Sequence, residues 1–289
     1  MSPLIVIVGE TASGKSALAM ELAERLDGEL ICADSWTVYR GFDIGTAKPT
    51  AADRAAVPHH LLDVADPAEG FSAVVFQKLA LAAIADITSR GKLPIMVGGT
   101  GLYIDSVLFD YGFLPPSDPA LRDELNSLSL EQLHARASEL GLDTAGIDLR
   151  NKRRVIRLIE NNGLRPTKRP MRGNTLVLGM RVEREVLGER IAARVDAMLA
   201  AGLEAEVRTL ADRYGWDVEP IKGIGYKEFR EYVSGTQTIA EVRERIIKGT
   251  MDLAKRQRTW FKRNSSIQWV NDRSKVVDIV TTYLNKTSS

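Results

Sequence analysis

The sequence predicts an α/β protein: a doubly wound parallel sheet with a phosphate loop, interrupted by a helical insertion. Three observations carry this reading. Leu4-Ile-Val-Ile-Val8 is apolar and β-branched, as a strand buried on both faces requires. It runs into Gly9-Glu-Thr-Ala-Ser-Gly-Lys-Ser16, which has the G-x-x-x-x-G-K-[ST] spacing of a phosphate loop, and then into residues 14–26, where Leu18, Leu22 and Leu26 recur at helical intervals. Beyond this opening, strand-like and helix-like segments alternate, the pattern of a parallel sheet covered on both faces.

The elements follow in order. Residues 30–33 read as a second buried strand, 71–89 as a long helix, 93–97 as a further strand and 101–108 as another helix. The alternation breaks at Phe113-Leu-Pro-Pro-Ser-Asp-Pro119, where three prolines stop regular structure. Helices are then predicted over 121–128, over 130–140 behind the capping box Ser129-Leu-Glu-Gln132, and over 149–161. A strand returns at 176–180, and helices resume at 184–201, 204–213, 227–233 and 239–263, the last capped by Thr238 with Glu241 three residues on. The expected organisation is therefore a core of residues 1–112 and 174–289 and a helical insertion of residues 113–173. No internal repeat or low-complexity tract is present.

The chain has 289 residues, of which 44% are hydrophobic and 27% charged, enough to bury a substantial core. No apolar run approaches the roughly 18 residues of a membrane span. The first apolar run is short and lacks a basic flank, which argues against a secretory signal, so a cytoplasmic protein is expected. A single cysteine, Cys32, excludes an intrachain disulfide, and with only His59, His60 and His134 beside it a zinc site of the usual type is not expected. The His59-His60 pair reads as structural. The net charge of +1 conceals two basic blocks. Residues 150–172 hold nine Lys or Arg against one acid, and residues 243–263 hold eight against two. One such block is commonly a solvated helix face; two, interleaved with apolar and aromatic residues, point to a polyanionic partner.

The residues of the phosphate loop carry specific chemistry. Glycines let the backbone wrap an anion, N–H groups and a helix N-terminus face it, Lys15 neutralises its oxygens, and the Ser16 hydroxyl can ligate Mg²⁺. The loop does not say whose phosphates it holds: a nucleoside triphosphate and any other diphosphate suit the same cradle. Asp34 follows an apolar strand and so belongs at its carboxyl end, where it could serve as a base, hold Mg²⁺ or cap a turn. The loop Gly98-Gly-Thr-Gly101 stands at another strand end, which brings the Thr100 hydroxyl within reach of the same crevice.

Taken together, GETASGKS, the segment from Asp34 to Pro49 ending in DIGTAKP, His59-His-Leu-Leu-Asp63, Val97-Gly-Gly-Thr-Gly-Leu-Tyr103, Gly223-Ile-Gly-Tyr-Lys227 and Ala254-Lys-Arg-Gln-Arg-Thr-Trp260 resemble the tRNA dimethylallyltransferases over nearly the whole chain. The phosphate loop alone is a common pattern; the other segments, in this order, are specific to that family. The resemblance implies transfer of a dimethylallyl group from dimethylallyl diphosphate to the exocyclic amine of the adenosine 3′-adjacent to the anticodon, in tRNAs reading codons that begin with U. The expected partners are tRNA, through its anticodon stem-loop, and the prenyl diphosphate; the expected cofactor is Mg²⁺ and the expected state a monomer.

Position by position, the resemblance implies that Gly9, Thr11, Ala12, Ser13, Gly14, Lys15 and Ser16 hold the diphosphate, with Ser16 also on Mg²⁺. Asp34 would receive the amine proton, with Thr100, Arg194 and Lys15 assisting at the diphosphate and the allylic carbon. The tRNA contacts would come from Asp34, Ser35, Trp36, Thr37, Thr100 and Arg122, and from Arg153, Arg154, Val155, Ile156 and Arg157. Lys222, Gly223, Ile224, Gly225, Tyr226 and Lys227 would add to them, as would Lys255, Arg256, Gln257, Arg258, Thr259, Trp260, Phe261 and Lys262. Trp260, Phe261 and Tyr226 offer candidate stacking surfaces for an extruded base. Three departures stand out: Glu10 replaces the usual Pro and adds negative charge beside the cradle, Trp36-Thr37 replaces a smaller pair, and Met251 replaces an Arg. The rival readings are an adenylate isopentenyltransferase acting on free nucleotides, a P-loop small-molecule kinase or NTPase, and an RNA-binding protein without catalysis.

Overall fold

The computed structural model describes residues 2–115 and 118–287. The chain forms β1 (Leu4–Gly9), α1 (Lys15–Arg25), β2 (Gly28–Ala33), α2 (Ala51–Ala56), β3 (His59–His60), α3 (Ala73–Ser89), β4 (Leu93–Gly98) and α4 (Gly101–Leu108). Then come α5 (Pro119–Ser127), α6 (Leu130–Glu139), α7 (Lys152–Glu160), β5 (Thr175–Met180), α8 (Arg184–Ala200), α9 (Leu203–Tyr214), α10 (Arg230–Val233), α11 (Ile239–Phe261), β6 (Ile267–Val270) and α12 (Val276–Thr287). The six strands make one parallel sheet in the order β3-β2-β4-β1-β5-β6. All six residues of β1, β2 and β4 are buried, which is why residues 4–8, 30–33 and 93–97 read as continuous apolar runs.

This order places the site. Strands β2, β4 and β1 are neighbours, so the loops leaving their carboxyl ends, at Asp34, at Gly98-Gly-Thr-Gly101 and at the phosphate loop, emerge side by side. A core of Ile5, Ile7, Leu18, Leu22 and Ile95, among others, packs α1 and α12 on one part of the sheet. A second core joins Phe42 and Tyr226 to residues of α8, α9 and α11, including Ile191, Val207 and Ile246.

The chain divides into two compact units, Met1–Leu108 with Arg172–Ser289, and Phe109–Met171. The smaller unit is helical. Its core of Leu125, Leu133, Ala137, Val155, Ile156 and Ile159 is closed by the Glu160 carboxylate, which is ion-paired to Arg122 and Arg157. Of the proline-rich break, Pro116 and Ser117 lie outside the described residues. Pro119 corrects part of that reading: it does not stop structure but starts α5 at the first helical position behind the Asp118 cap, where a missing N–H costs nothing.

Four elements escape the sequence reading. Strand β3 is only the pair His59–His60, followed by Leu61 at φ +66°, and has no apolar run of its own. Strand β6, at the sheet edge, buries only Ile267 and Val270. Helix α2 buries no residue, so it has no apolar stripe to read, and its end is fixed by the Thr50/Asp53 capping box. Helix α12 sits beyond the last basic block, with Val276 and Val280 in the core. His59 Nδ1 lies 2.7 Å from the Val57 carbonyl oxygen and His60 Nε2 lies 2.7 Å from Glu29 Oε2.

Glu29, almost wholly buried on β2, has its carboxyl held down to about 2, mainly by its hydrogen bonds to Arg90 and further by His60. Because this group is depressed on folding, its contribution is complete above the unfolded carboxylate range near 4.5 and is lost as pH falls through about 2. Equilibrium denaturation of the wild type is therefore expected to weaken between those values, and Glu29→Gln to flatten that part of the profile. An unaltered slope in the variant would count against the pairing.

Candidate active site

The phosphate loop is shaped by two residues in the left-handed region, Ala12 at φ +61° and Gly14 at φ +88°. The turn closes with a bond from Ser13 N to the Glu10 carbonyl oxygen at 3.2 Å, and Lys15 Nζ reaches back to the same oxygen at 3.1 Å. Gly14 precedes α1, so the helix N-terminus faces the loop's concavity. Burial pushes the Lys15 ammonium down to about 8; Asp34 opposes this and Arg194 adds to it.

Helix α11 fixes the loop against its neighbours. Thr11 N donates to Gln257 Oε1 at 2.8 Å, and Gln257 Nε2 donates to the Gly99 carbonyl at 3.1 Å, so one buried amide spans the loops after β1 and β4. The glycines are required by close approach: a Cβ at Gly98 would overlap the Ala33 carbonyl, and one at Gly99 would meet the Gln257 amide. Trp260, one turn on, lies against Gly101 and donates to Asp105 Oδ2 at 3.0 Å. Arg258 forms a two-pronged ion pair with buried Glu10 and also donates to the Val182 carbonyl at 3.1 Å. The extra negative charge of Glu10 is thus matched where it stands, which removes the expected penalty on the cradle.

Asp34 Oδ1 accepts from Trp36 N at 2.9 Å and more weakly from Thr37 N at 3.4 Å, so the carboxylate caps the turn that it begins as well as facing the crevice. Ser35 N donates to Thr100 Oγ1 at 3.1 Å, tying the loops after β2 and β4. Arg194 on α8 points its guanidinium at Thr11 Oγ1, 3.5 Å away. These residues line two cavities. One, of about 460 Å³, holds Lys15, Ser16, Cys32 and the DIGTAKP loop; the other, of about 90 Å³, is walled by apolar residues including Ile191, Val195, Ile246 and Leu253. Both share Thr11, Asp34, Thr46, Ala47 and Arg194. Cys32 is an inert wall residue whose thiol burial pushes up to about 12.

The structure brings Asp34, Lys15, Ser16 and Arg194 to one crevice, with Thr100 bonded to Ser35 beside Asp34, but it revises several expected RNA contacts. The rings of Tyr226 and Phe261 are buried, at 1% and 2% exposure, and have no face to offer a base. Val155 and Ile156 belong to the core of the helical unit, and Gln257 spends both ends of its amide inside the protein. Arg122 is engaged by Glu160, and Arg258 by Glu10. Thr37 is buried, and Trp36 is half-buried with its ring against Gly223. Exposed polar residues remain at Arg154, Lys222, Lys227, Lys255, Arg256, Thr259 and Lys262. Met251 packs on the apolar core, so the cationic contact expected of an Arg there is missing.

The sequence reading missed Lys48 of DIGTAKP, whose buried ammonium binds Asp43 at 2.7 Å, Asp63 at 2.6 Å and the Tyr39 carbonyl at 2.8 Å. The signal was available: a lysine and an aspartate in two separate motifs, with no chemistry assigned to either. For a divalent cation, no group of three or more His, Cys, Asp or Glu side chains stands ready among the described residues. The exposed Ser16 hydroxyl at the cavity fits a hard cation that takes its remaining oxygens from a bound diphosphate and water.

A phosphate loop beside a carboxylate, where two cavities share their lining, defines a phosphate-binding site on a parallel α/β sheet, the arrangement of an enzyme of the phosphate-loop class. The chain belongs to the IPP transferase family, whose model matches residues 37–264. It is 43% identical over 281 residues to a tRNA dimethylallyltransferase of Geobacillus thermodenitrificans, covering 92% of this chain and 89% of that protein. The crystal structure of a tRNA isopentenylpyrophosphate transferase from Bacillus halodurans is similar at 38% identity and a TM-score of 0.78, over 100% of this chain and 98% of that one. A eukaryotic dimethylallyltransferase acting on tRNA has a TM-score of 0.81 at 26% identity, over 99% and 80% of the respective chains. No helix among the described residues is long and apolar enough to cross a membrane.

Because the Lys15 charge is lost as pH rises through about 8, the affinity for inorganic diphosphate is expected to fall between pH 7 and 9 in calorimetric titrations. Lys15→Met is expected to bind more weakly and to lack that fall. A wild-type profile parallel to that of the variant would remove Lys15 as its source.

Proposed function

We propose that this protein transfers the dimethylallyl group of dimethylallyl diphosphate to the N6 amine of the adenosine 3′-adjacent to the anticodon of tRNAs reading codons that begin with U. The observation that carries the reading is the pair of cavities meeting at Thr11, Asp34 and Arg194, the larger backed by Lys15 and Ser16 of the phosphate loop, the smaller walled in part by α8 and α11. Two substrates occupying these cavities would meet at the shared residues, and family membership identifies the chemistry. An NTPase has no need of a second substrate cavity, and membership of the IPP transferase family speaks against a small-molecule kinase, which would need one. An enzyme of free adenine nucleotides has less use for the exposed Lys255, Arg256 and Lys262 on α11 or for the basic helical unit.

The adenine amine is a poor nucleophile because its lone pair is delocalised into the ring, so alignment and proton removal matter. Backbone N–H groups of residues 12 and 14–16, Lys15 and Arg194 hold the diphosphate and stabilise the charge that grows on it as the allylic C–O bond breaks. The electron pair of that bond leaves with diphosphate, the N6 lone pair forms the new N–C bond, and Asp34 takes the amine proton. The two N–H bonds to its Oδ1 fix the carboxylate in orientation. Thr100, bonded to Ser35, holds the floor of the crevice. Mg²⁺, on Ser16 and the diphosphate, would neutralise leaving-group charge.

A base stacked in an anticodon loop must be extruded to reach Asp34, at a cost of a few kcal/mol. The exposed basic residues of α11, Lys222 and Lys227, and the helical unit with Arg153 and Arg154, offset that cost by gripping the anticodon stem-loop phosphates. The protein works as a monomer, since one chain carries every group named here.

Incubation with labelled dimethylallyl diphosphate, Mg²⁺ and bulk tRNA, followed by digestion to nucleosides, is expected to yield labelled N6-(dimethylallyl)adenosine; label absent from adenosine would overturn the reading. Asp34→Ala is expected to bind tRNA normally and to transfer the prenyl group at least about 100-fold more slowly, in keeping with the worth of a positioned base. Near-normal turnover would remove Asp34 from that role.

A further inference from the structure

The narrow cavity is walled by two segments far apart in sequence: the loop 43–47, through Gly45, Thr46 and Ala47, and the segment 223–227, through Ile224 and Gly225. Both are held by one side chain that does not line the cavity, Glu206 on α9. Its Oε2 accepts from Asp43 N at 3.1 Å and Ile44 N at 2.8 Å, and its Oε1 accepts from Gly45 N at 3.1 Å and from the Tyr226 hydroxyl at 2.7 Å. Three consecutive N–H groups aimed at one point form a concave anion seat, and here the protein fills it with its own carboxylate.

The contact between the two segments is close. Gly45 lies so near the Tyr226 ring that a Cβ there would overlap it. That ring is buried and tilted on Phe42 with centroids 4.8 Å apart, while Gly225 takes φ +95° to pass the Gly45 carbonyl. The loop's own bonds, Thr46 Oγ1 to the Phe42 carbonyl at 2.6 Å and Ala47 N to the Ile44 carbonyl at 3.0 Å, leave the N–H groups of residues 43–45 to Glu206. Without the carboxylate the loop keeps its turn and its packing on the Tyr226 ring but loses its hydrogen-bonded attachment to α9.

We propose that Glu206 is a positioning residue for prenyl transfer, setting the gap between loop 43–47 and segment 223–227 and hence the alignment of the adenine amine at Asp34. This rests on the reading of the narrow cavity as the acceptor's entrance. The phosphate loop itself is held by Gln257 and Arg258 from α11 and not by Glu206, and the loop 43–47 meets the donor's cavity only through Thr46 and Ala47, so donor affinity serves as the control. Glu206→Gln turns an NH2 group toward backbone donors and breaks the seat. Tyr226→Phe keeps the ring against Gly45 and removes only the hydroxyl donor.

The test measures thermal stability, calorimetric affinity for dimethylallyl diphosphate with Mg²⁺, and transfer rate at saturating tRNA and donor. For Glu206→Gln the expected result is donor affinity within about twofold of wild type and a saturated rate lower by about 100-fold, the scale of a 1 Å misplacement. Tyr226→Phe is expected to lower the saturated rate several-fold with donor affinity and melting temperature retained. A folded Glu206→Gln with wild-type transfer, or one whose donor affinity falls in step with its stability, would overturn the proposal. If that variant does not fold, Tyr226→Phe decides, and an unchanged saturated rate overturns it. Absence of transfer by the wild type would instead sink the reading of the function and leave the loop geometry intact.

Discussion

The Gln257 amide is the interaction on which the site depends. A diphosphate cradle works only if its donors converge on one point, and the phosphate loop cannot fix its own distance from the other strand ends. Gln257 does so by accepting from Thr11 N and donating to the Gly99 carbonyl, so that the loops leaving β1 and β4 hold one spacing. The amide is buried, and removing either half leaves a polar group without a partner, a cost of about 1–3 kcal/mol. The glycines of the second loop follow from this, because the amide occupies the space that a Cβ at Gly99 would need.

Helix α11 therefore has two jobs on two faces. Ala254, Gln257 and Phe261 face inward and brace the cradle; Lys255, Arg256 and Lys262 face solvent. The Arg258–Glu10 pair reinforces the inner face, and it explains how this chain carries a glutamate in its phosphate loop beside a site for an anion. A carboxylate there would repel a diphosphate if it were free; paired with a guanidinium it serves as a second tether between α11 and the loop.

Much of this was legible in the sequence because the signals were local. The apolar runs at 4–8, 30–33 and 93–97 could only be buried strands, and the glycine-lysine spacing after the first fixed the phosphate loop. Asp34 was legible by position alone, at the end of a strand. What was not legible depends on pairs distant in the chain. The eight basic residues of block 243–263 look alike in sequence, yet Arg258 turns inward to Glu10 and Lys255 outward, a choice set by helix phase and by one carboxylate 248 residues away. Tyr226 read as a stacking surface because aromatic residues near basic ones often are; the ring is instead needed to fill the space beside Gly45. Short elements such as β3 carry too few residues for any periodicity to show.

The central claim is that the cradle braced by Gln257 accepts a prenyl diphosphate in preference to a nucleoside triphosphate. Calorimetric titration with dimethylallyl diphosphate in Mg²⁺ buffer, repeated in excess ATP, tests it most directly. The account predicts saturable binding of the prenyl diphosphate that ATP does not displace and no release of inorganic phosphate from ATP. Tight binding and hydrolysis of ATP, with the prenyl diphosphate left in solution, would contradict it.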